Sequence, residues 1–74
     1  MLKNDIGINA GIIWNLLAEK GKLTIREIGE LSDFKDSLIN MALGWLSREN
    51  KIRFFDENGH LYIELNHSVS ETYY

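Results

Sequence analysis

The stretch from Ser37 to Ile52 limits the possible folds of this chain more than any other, because its spacing is helical and the residues after it alternate. At about 100° per residue, Leu38, Ala42, Trp45 and Leu46 fall on one side with Ile39 beside them. Ser37, Asn40, Gly44 and Ser47 fall opposite, with Met41 and Arg48 at the edge. Such a helix has a crowded inner face and a small, polar outer one. It runs out through Arg48, Glu49, Asn50 and Lys51, where Asn50 suits a left-handed cap and the two basic residues suit the negative end of the helix dipole.

From Ile52 the period becomes two. Ile52 to Asp56 and His60 to Leu65 flank Glu57-Asn58-Gly59, and Asn-Gly is a strong hairpin signal because both residues accept a positive φ. In the first strand Ile52 and Phe54 point one way, Arg53 and Phe55 the other. In the second, Leu61, Ile63 and Leu65 oppose Tyr62 and Glu64. One face of the hairpin therefore docks on the helices.

Upstream, Asn4 or Asp5 is placed to cap a helix reaching about Lys20, with Ile6, Ala10, Ile13 and Leu17 as its inward stripe and Trp14 and Leu16 on the shoulders. Gly7 and Gly11 each cost about 1 kcal/mol relative to alanine in a helix, which predicts the close approach of another element or, as the alternative, a poorly formed first turn. Ile8 and Ile12 lie off the stripe with Asn15 and Glu19, a surface for the C-terminal tail or for the second subunit of a homodimer. Gly21 ends the helix, and Lys22-Leu23 reads as a very short strand pairing with the hairpin. Thr24-Ile25-Arg26-Glu27 is a capping box, after which Ile25, Ile28 and Leu31 face inward. Ser32-Asp33-Phe34 forms a turn with Phe34 plugging the corner, and the next helix begins at Lys35 or Asp36. Two short helices joined by so tight a turn are a helix-turn-helix signature.

With the hairpin following directly, the chain resembles winged helix-turn-helix domains. More narrowly, Ile6-Gly7, Ala10-Gly11 and Ile13-Trp14, then Ala42-Leu43-Gly44-Trp45-Leu46 with Arg48-Glu49 and Lys51-Ile52, resemble a small prokaryotic winged-helix family. The resemblance spans roughly residues 5 to 65 and implies an α+β fold: three helices with a small antiparallel sheet whose hairpin is the wing. Residues 1–74 are expected to be one such domain, ordered over about 5–65, with 66–74 a mostly mobile tail whose two terminal tyrosines can pack on the Ile8 and Ile12 side. The core expected from periodicity is Ile13, Trp14, Leu17, Ile28, Leu31, Leu38, Ala42, Trp45, Leu46, Ile52, Phe54, Leu61 and Ile63.

At 74 residues the chain buries only about 60–65% of the surface its unfolded form exposes, so its stability is modest. It has no cysteine, hence neither a disulfide nor a thiolate metal site, which favours a cytoplasmic location. The N-terminal apolar stretch is broken by Asn9 and two glycines and lacks a basic leader, and no run approaches the roughly 18 apolar residues a membrane span needs. The sequence thus predicts no membrane partner. Catalysis is set aside on inventory, because a nucleophile needs a base and the two histidines are His60 at the wing tip and His67 beyond the last strand. His60 and Glu64 stand roughly 13 Å apart along a strand at about 3.3 Å per residue, too far to share a metal. The carboxylates form no acid–base pair, and no glycine-rich phosphate loop or cofactor motif is present.

Two functions remain. As a DNA-binding, transcription-related module, the chain would place Ser37, Asn40, Met41 and Gly44 against base edges in the major groove, Asn40 being suited to bidentate contact with adenine and Gly44 letting the backbone lie close. Lys22, Arg26, Lys35, Arg48, Lys51 and Arg53 would hold phosphates. Against this, the net charge is −3, although Lys20 to Arg53 carries seven basic and five acidic residues. Asp36 would face phosphate, and the wing tip offers Asn58, Gly59 and His60 beside Asp56 and Glu57, where a minor-groove wing usually carries arginine or lysine. Binding to double-stranded DNA is therefore expected to be weak or partner-dependent. The alternative is an adaptor surface for a protein partner without DNA binding, which suits an acidic wing and a near-neutral third helix.

Overall fold

Ala10, Ile13, Trp14 and Leu17 recur at helical spacing and are buried together on one face of α1 (Lys3–Lys20). The computed structural model describes residues 3–66. The helix is described from Lys3, which places Asn4 and Asp5 within its first turn and not ahead of it. An acidic Asp5 still complements the positive end of the dipole there. Gly21 closes the helix with φ +92°, its amide donating to the Leu17 carbonyl at 2.8 Å, a conformation a side chain would resist.

Leu23 then forms an antiparallel bridge with Ile63, and the chain turns at once into α2 (Ile25–Ser32). The capping box is in place. The Glu27 amide donates to Thr24 Oγ1 at 3.1 Å, and the Thr24 amide donates to Glu27 Oε1 at 2.8 Å. The helix ends where Asp33 adopts φ +63° and its amide returns to the Gly29 carbonyl at 2.9 Å. Phe34 fills the corner, half-buried against the core.

The third helix, α3 (Asp36–Arg48), lies along α1. It closes through a paired motif in which the Lys51 amide reaches the Leu46 carbonyl at 2.9 Å and the Asn50 amide the Ser47 carbonyl at 3.0 Å, with Asn50 at φ +58°. Its buried face is Ile39, Ala42, Leu43 and Leu46. That stripe is turned from the expected one: Leu38 and Trp45 are only half-buried, and Leu43 joins the interior. Apolar residues wrap more than half of this helix, so the neighbours against which it packs decide its rotation.

Strands β1 (Ile52–Glu57) and β2 (His60–Leu65) pair antiparallel, with Glu57 opposite His60, Phe55 opposite Tyr62 and Arg53 opposite Glu64. Asn58 at φ +54° and Gly59 at φ +82° make the two-residue turn that this register requires. Ile52 and Ile63 are buried under the helices, together with Leu23, which the periodicity did not single out as core. Besides the half-buried Leu38 and Trp45, three expected core residues are exposed. Phe54 and Leu61 lie on the inward face but remain 45% and 44% exposed, because the core sits beneath β2 and Leu23 while the outer half of the hairpin projects past it. Leu31, in the last turn of α2, is 48% exposed, leaving Ile28 as the fully buried residue of that helix. Asn66 is tied back to the body by its amide to the Lys51 carbonyl and its side chain to Asn50. The tail packing expected for Tyr73 and Tyr74 lies outside the described residues.

Candidate functional site

The outer face of α3 presents Ser37, Asn40, Met41 and Gly44 to solvent, all four exposed. The inward packing of Ile39, Ala42, Leu43 and Leu46 holds them there, since the two stripes share one rigid helix. A Cβ at Gly44 would meet nothing within 4 Å, so among the described residues no neighbouring element accounts for a glycine at that point. Lys35 stands at the N-cap of α3 without a side-chain capping bond, and Arg48 lies in its last turn. Both are exposed and in no ion pair among the described residues. Thirteen helical residues at about 1.5 Å each separate them by roughly 20 Å, with the Ser37 to Gly44 stripe between.

The other expected phosphate contacts are engaged elsewhere. Lys22 pairs with Glu57 across the sheet and sits 5.0 Å from the centre of the Tyr62 ring and 5.8 Å from that of Phe55. The hydrogen bond that Lys22 donates to the Glu57 carboxylate raises its pKa above the ordinary lysine value, against a smaller opposing effect of desolvation. Arg53 pairs with Glu64, directly opposite it in the ladder, and lies 5.5 Å from the Phe55 ring. Phe55 and Tyr62 stack at 5.8 Å. Arg26 faces Glu30 one turn on at 3.5 Å, a pair so exposed that it holds the side chain only loosely. Lys51 is 5% exposed, enclosed between the end of α3 and β1, so it does not reach outward as a phosphate ligand must.

The six cations therefore do not converge. The outer face of the wing is a self-neutralised layer of two ion pairs around an aromatic stack, and its tip carries Asn58, Gly59 and His60, all exposed and none of them cationic in the manner of arginine or lysine. The acidic partners that silence Lys22 and Arg53 were not anticipated. The Arg53–Glu64 pairing follows from the turn: once Asn58-Gly59 sets Glu57 against His60, counting back places residue 53 against 64. Lys22 meets Glu57 only through the Leu23 bridge, and no local pattern carries that information. Among the described residues, no group of three acidic or histidine side chains is placed to hold a metal, and no helix is long and apolar enough to cross a membrane.

This arrangement has relatives. The chain is 33% identical to protein BT2368 of Bacteroides thetaiotaomicron, whose solution structure superposes with a TM-score of 0.77 over 88% of this chain and 79% of that one. It is similar in fold to HlyU of Vibrio cholerae, with a TM-score of 0.60 at 21% identity over 88% of this chain and 80% of HlyU. An uncharacterized protein of Methanocaldococcus jannaschii, MJ1608, is 41% identical over 49 residues, which is 64% of this chain and 70% of that protein. Residues 1–65 match one family throughout, and the chain belongs to it: the winged helix-turn-helix domain family DUF2582.

Proposed function

We propose that this domain binds duplex DNA through the outer face of α3, weakly as a single copy, and serves as a regulator-like module. Gly44 carries the reading. Glycine within a helix costs about 1 kcal/mol relative to alanine, and the empty space around this one leaves an external surface pressed against the helix as the return on that cost. Ser37, Asn40 and Met41 would then meet base edges, with Lys35 and Arg48 on phosphates at the two ends of the helix. A winged helix is typical of non-enzymatic regulatory domains, which agrees with such a role.

The charge inventory bounds the affinity. Each phosphate neutralised contributes about −0.9 to the slope of log K against log salt. Lys35 and Arg48 alone give a slope of about −1.8, where all six candidate residues would give about −5.4. Fluorescence anisotropy of a short random-sequence duplex, titrated with the protein at low salt and repeated as salt rises, tests this. A slope near −2 that vanishes in a Lys35→Ala, Arg48→Ala double variant supports the reading, and no complex at any salt refutes it.

The pairing of Lys22 with Glu57 and Arg53 with Glu64 favours a second reading, an adaptor that meets protein and not DNA. It predicts that the amide spectrum of the domain stays unchanged when DNA is added at any salt.

A further inference from the structure

Leu23 and Ile63 exchange both of their backbone hydrogen bonds, at 3.0 Å and 2.8 Å. Ile63 therefore directs its amide and carbonyl away from β1, and its cross-strand neighbour Phe54 is a non-hydrogen-bonded one. In an antiparallel ladder that orientation repeats at every second residue. Leu61 thus also turns its N–H and C=O away from β1, toward the side of the sheet that Leu23 occupies. Among the described residues no strand lies beside it there, because the capping box bends the chain into α2 at Thr24. The bare edge looks into a groove walled by Arg26, Glu27 and Glu30 of α2 on one side and by His60, Leu61 and Tyr62 on the other.

We propose that this edge accepts an extended peptide from another protein, laid antiparallel to β2 in line with Leu23 and carrying lysine or arginine opposite Leu61. The residue opposite Leu61 would exchange two backbone hydrogen bonds with it, as Leu23 does with Ile63. Cross-strand partners share a face, so its side chain turns to the helical side of the sheet, where Leu61 is 44% exposed. A long basic side chain fits that position twice over, with its aliphatic stem against Leu61 and its charge at the carboxylates of α2. Glu27 commits Oε1 to Thr24 and retains Oε2, and Glu30 holds Arg26 only at 3.5 Å, so both have acceptor capacity to spare. The same carboxylates repel a phosphate backbone. The groove contains no α3 residue, so this surface stands apart from the DNA-binding reading, and either can fail without the other.

The full chain, labelled with nitrogen-15, is titrated with a capped pentapeptide of threonine, valine, lysine, valine and threonine. The Leu61 amide moves downfield and gains protection from hydrogen exchange, and the larger shifts stay within the groove residues. Methylating the backbone nitrogen of the peptide's lysine, or replacing that lysine with glutamate, abolishes the shifts. Combining Glu27→Gln with Glu30→Gln weakens binding about threefold to tenfold. Glutamine at residue 27 preserves the capping box, so the variant folds, and its thermal melt verifies this. A Leu61 amide that stays put at millimolar peptide overturns the proposal. So does binding that survives backbone methylation or is unaffected by the double substitution.

Discussion

Gly7 on α1 faces the edge of the Trp45 indole on α3: a Cβ at residue 7 would stand 3.6 Å from Cζ2 and 3.9 Å from Cε2. The helices do approach closely here, yet the gap accommodates one methyl at ordinary contact. Gly7→Ala is therefore expected to stabilise the domain by up to about 1 kcal/mol, through helix propensity and a less flexible unfolded chain. Gly7→Leu must displace the indole and is expected to destabilise it by about 1–3 kcal/mol. Urea unfolding of the two variants checks the contrast, and equal midpoints would show that the ring yields freely.

Gly44 offers a sharper separation of stability from function. A Cβ there enters open space, so Gly44→Ala should raise stability by about 0.5–1 kcal/mol. If the outer face of α3 meets DNA, the same methyl lowers affinity for a duplex. A variant that is both more stable and binds DNA unchanged would remove the reason given for this glycine.

Lys22 and Lys35 look alike in the sequence and should behave differently. Lys35→Ala is expected to weaken DNA binding and reduce the salt slope by about 0.9. Lys22→Ala should leave the slope alone and change stability little, since it breaks an exposed pair with Glu57. Equal losses of slope in the two variants would mean that the Lys22–Glu57 pair opens to receive phosphate.

That pair also has a pH signature. With the pKa of Lys22 raised by its hydrogen bond to Glu57, the stability it contributes is fully present below the ordinary lysine value and is lost as pH climbs through the raised one. A titration of the Lys22 ε-carbon by NMR should place its midpoint above 10.5, and Glu57→Gln should bring it back down.

Asn50 terminates α3 at φ +58°. Asn50→Gly suits the left-handed backbone but loses the hydrogen bond from Asn66 Nδ2 to Asn50 Oδ1, so it should be close to neutral. Asn50→Val places a β-branched residue in the left-handed region and also loses the hydrogen bond from Asn66 Nδ2 to Asn50 Oδ1, for an expected loss of about 1–3 kcal/mol by thermal or urea denaturation.

The features that could be read directly from the sequence are those in which one residue type meets one backbone demand. Thr24 with Glu27, Gly21, Asn50 and Asn58-Gly59 each announce a cap or a turn, because few other residues take those conformations or make those bonds. The rotation of α3 was harder, since Leu38, Ile39, Met41, Ala42, Leu43, Trp45 and Leu46 leave no narrow stripe to orient it. Alternation placed Phe54 and Leu61 on the correct face of the hairpin but could not show how far the helices extend beneath it. In the candidate site, the exposed positions of α3 were legible from periodicity. The neutralisation of Lys22 by Glu57 was not, because partners 35 positions apart meet only once the tertiary fold has formed.

The bridge between Leu23 and Ile63 joins positions forty apart in the chain, and through it the hairpin is fastened to the connection between α1 and α2. A wing anchored in this way cannot swing as a separate flap. For it to peel away, the two exchanged bonds must break and the buried Leu23 and Ile63 side chains must be wetted, which amounts to opening the interior. A partner that meets the wing therefore meets a preformed shape, and selectivity there must come from fit to a rigid surface and not from a loop that moulds itself on arrival.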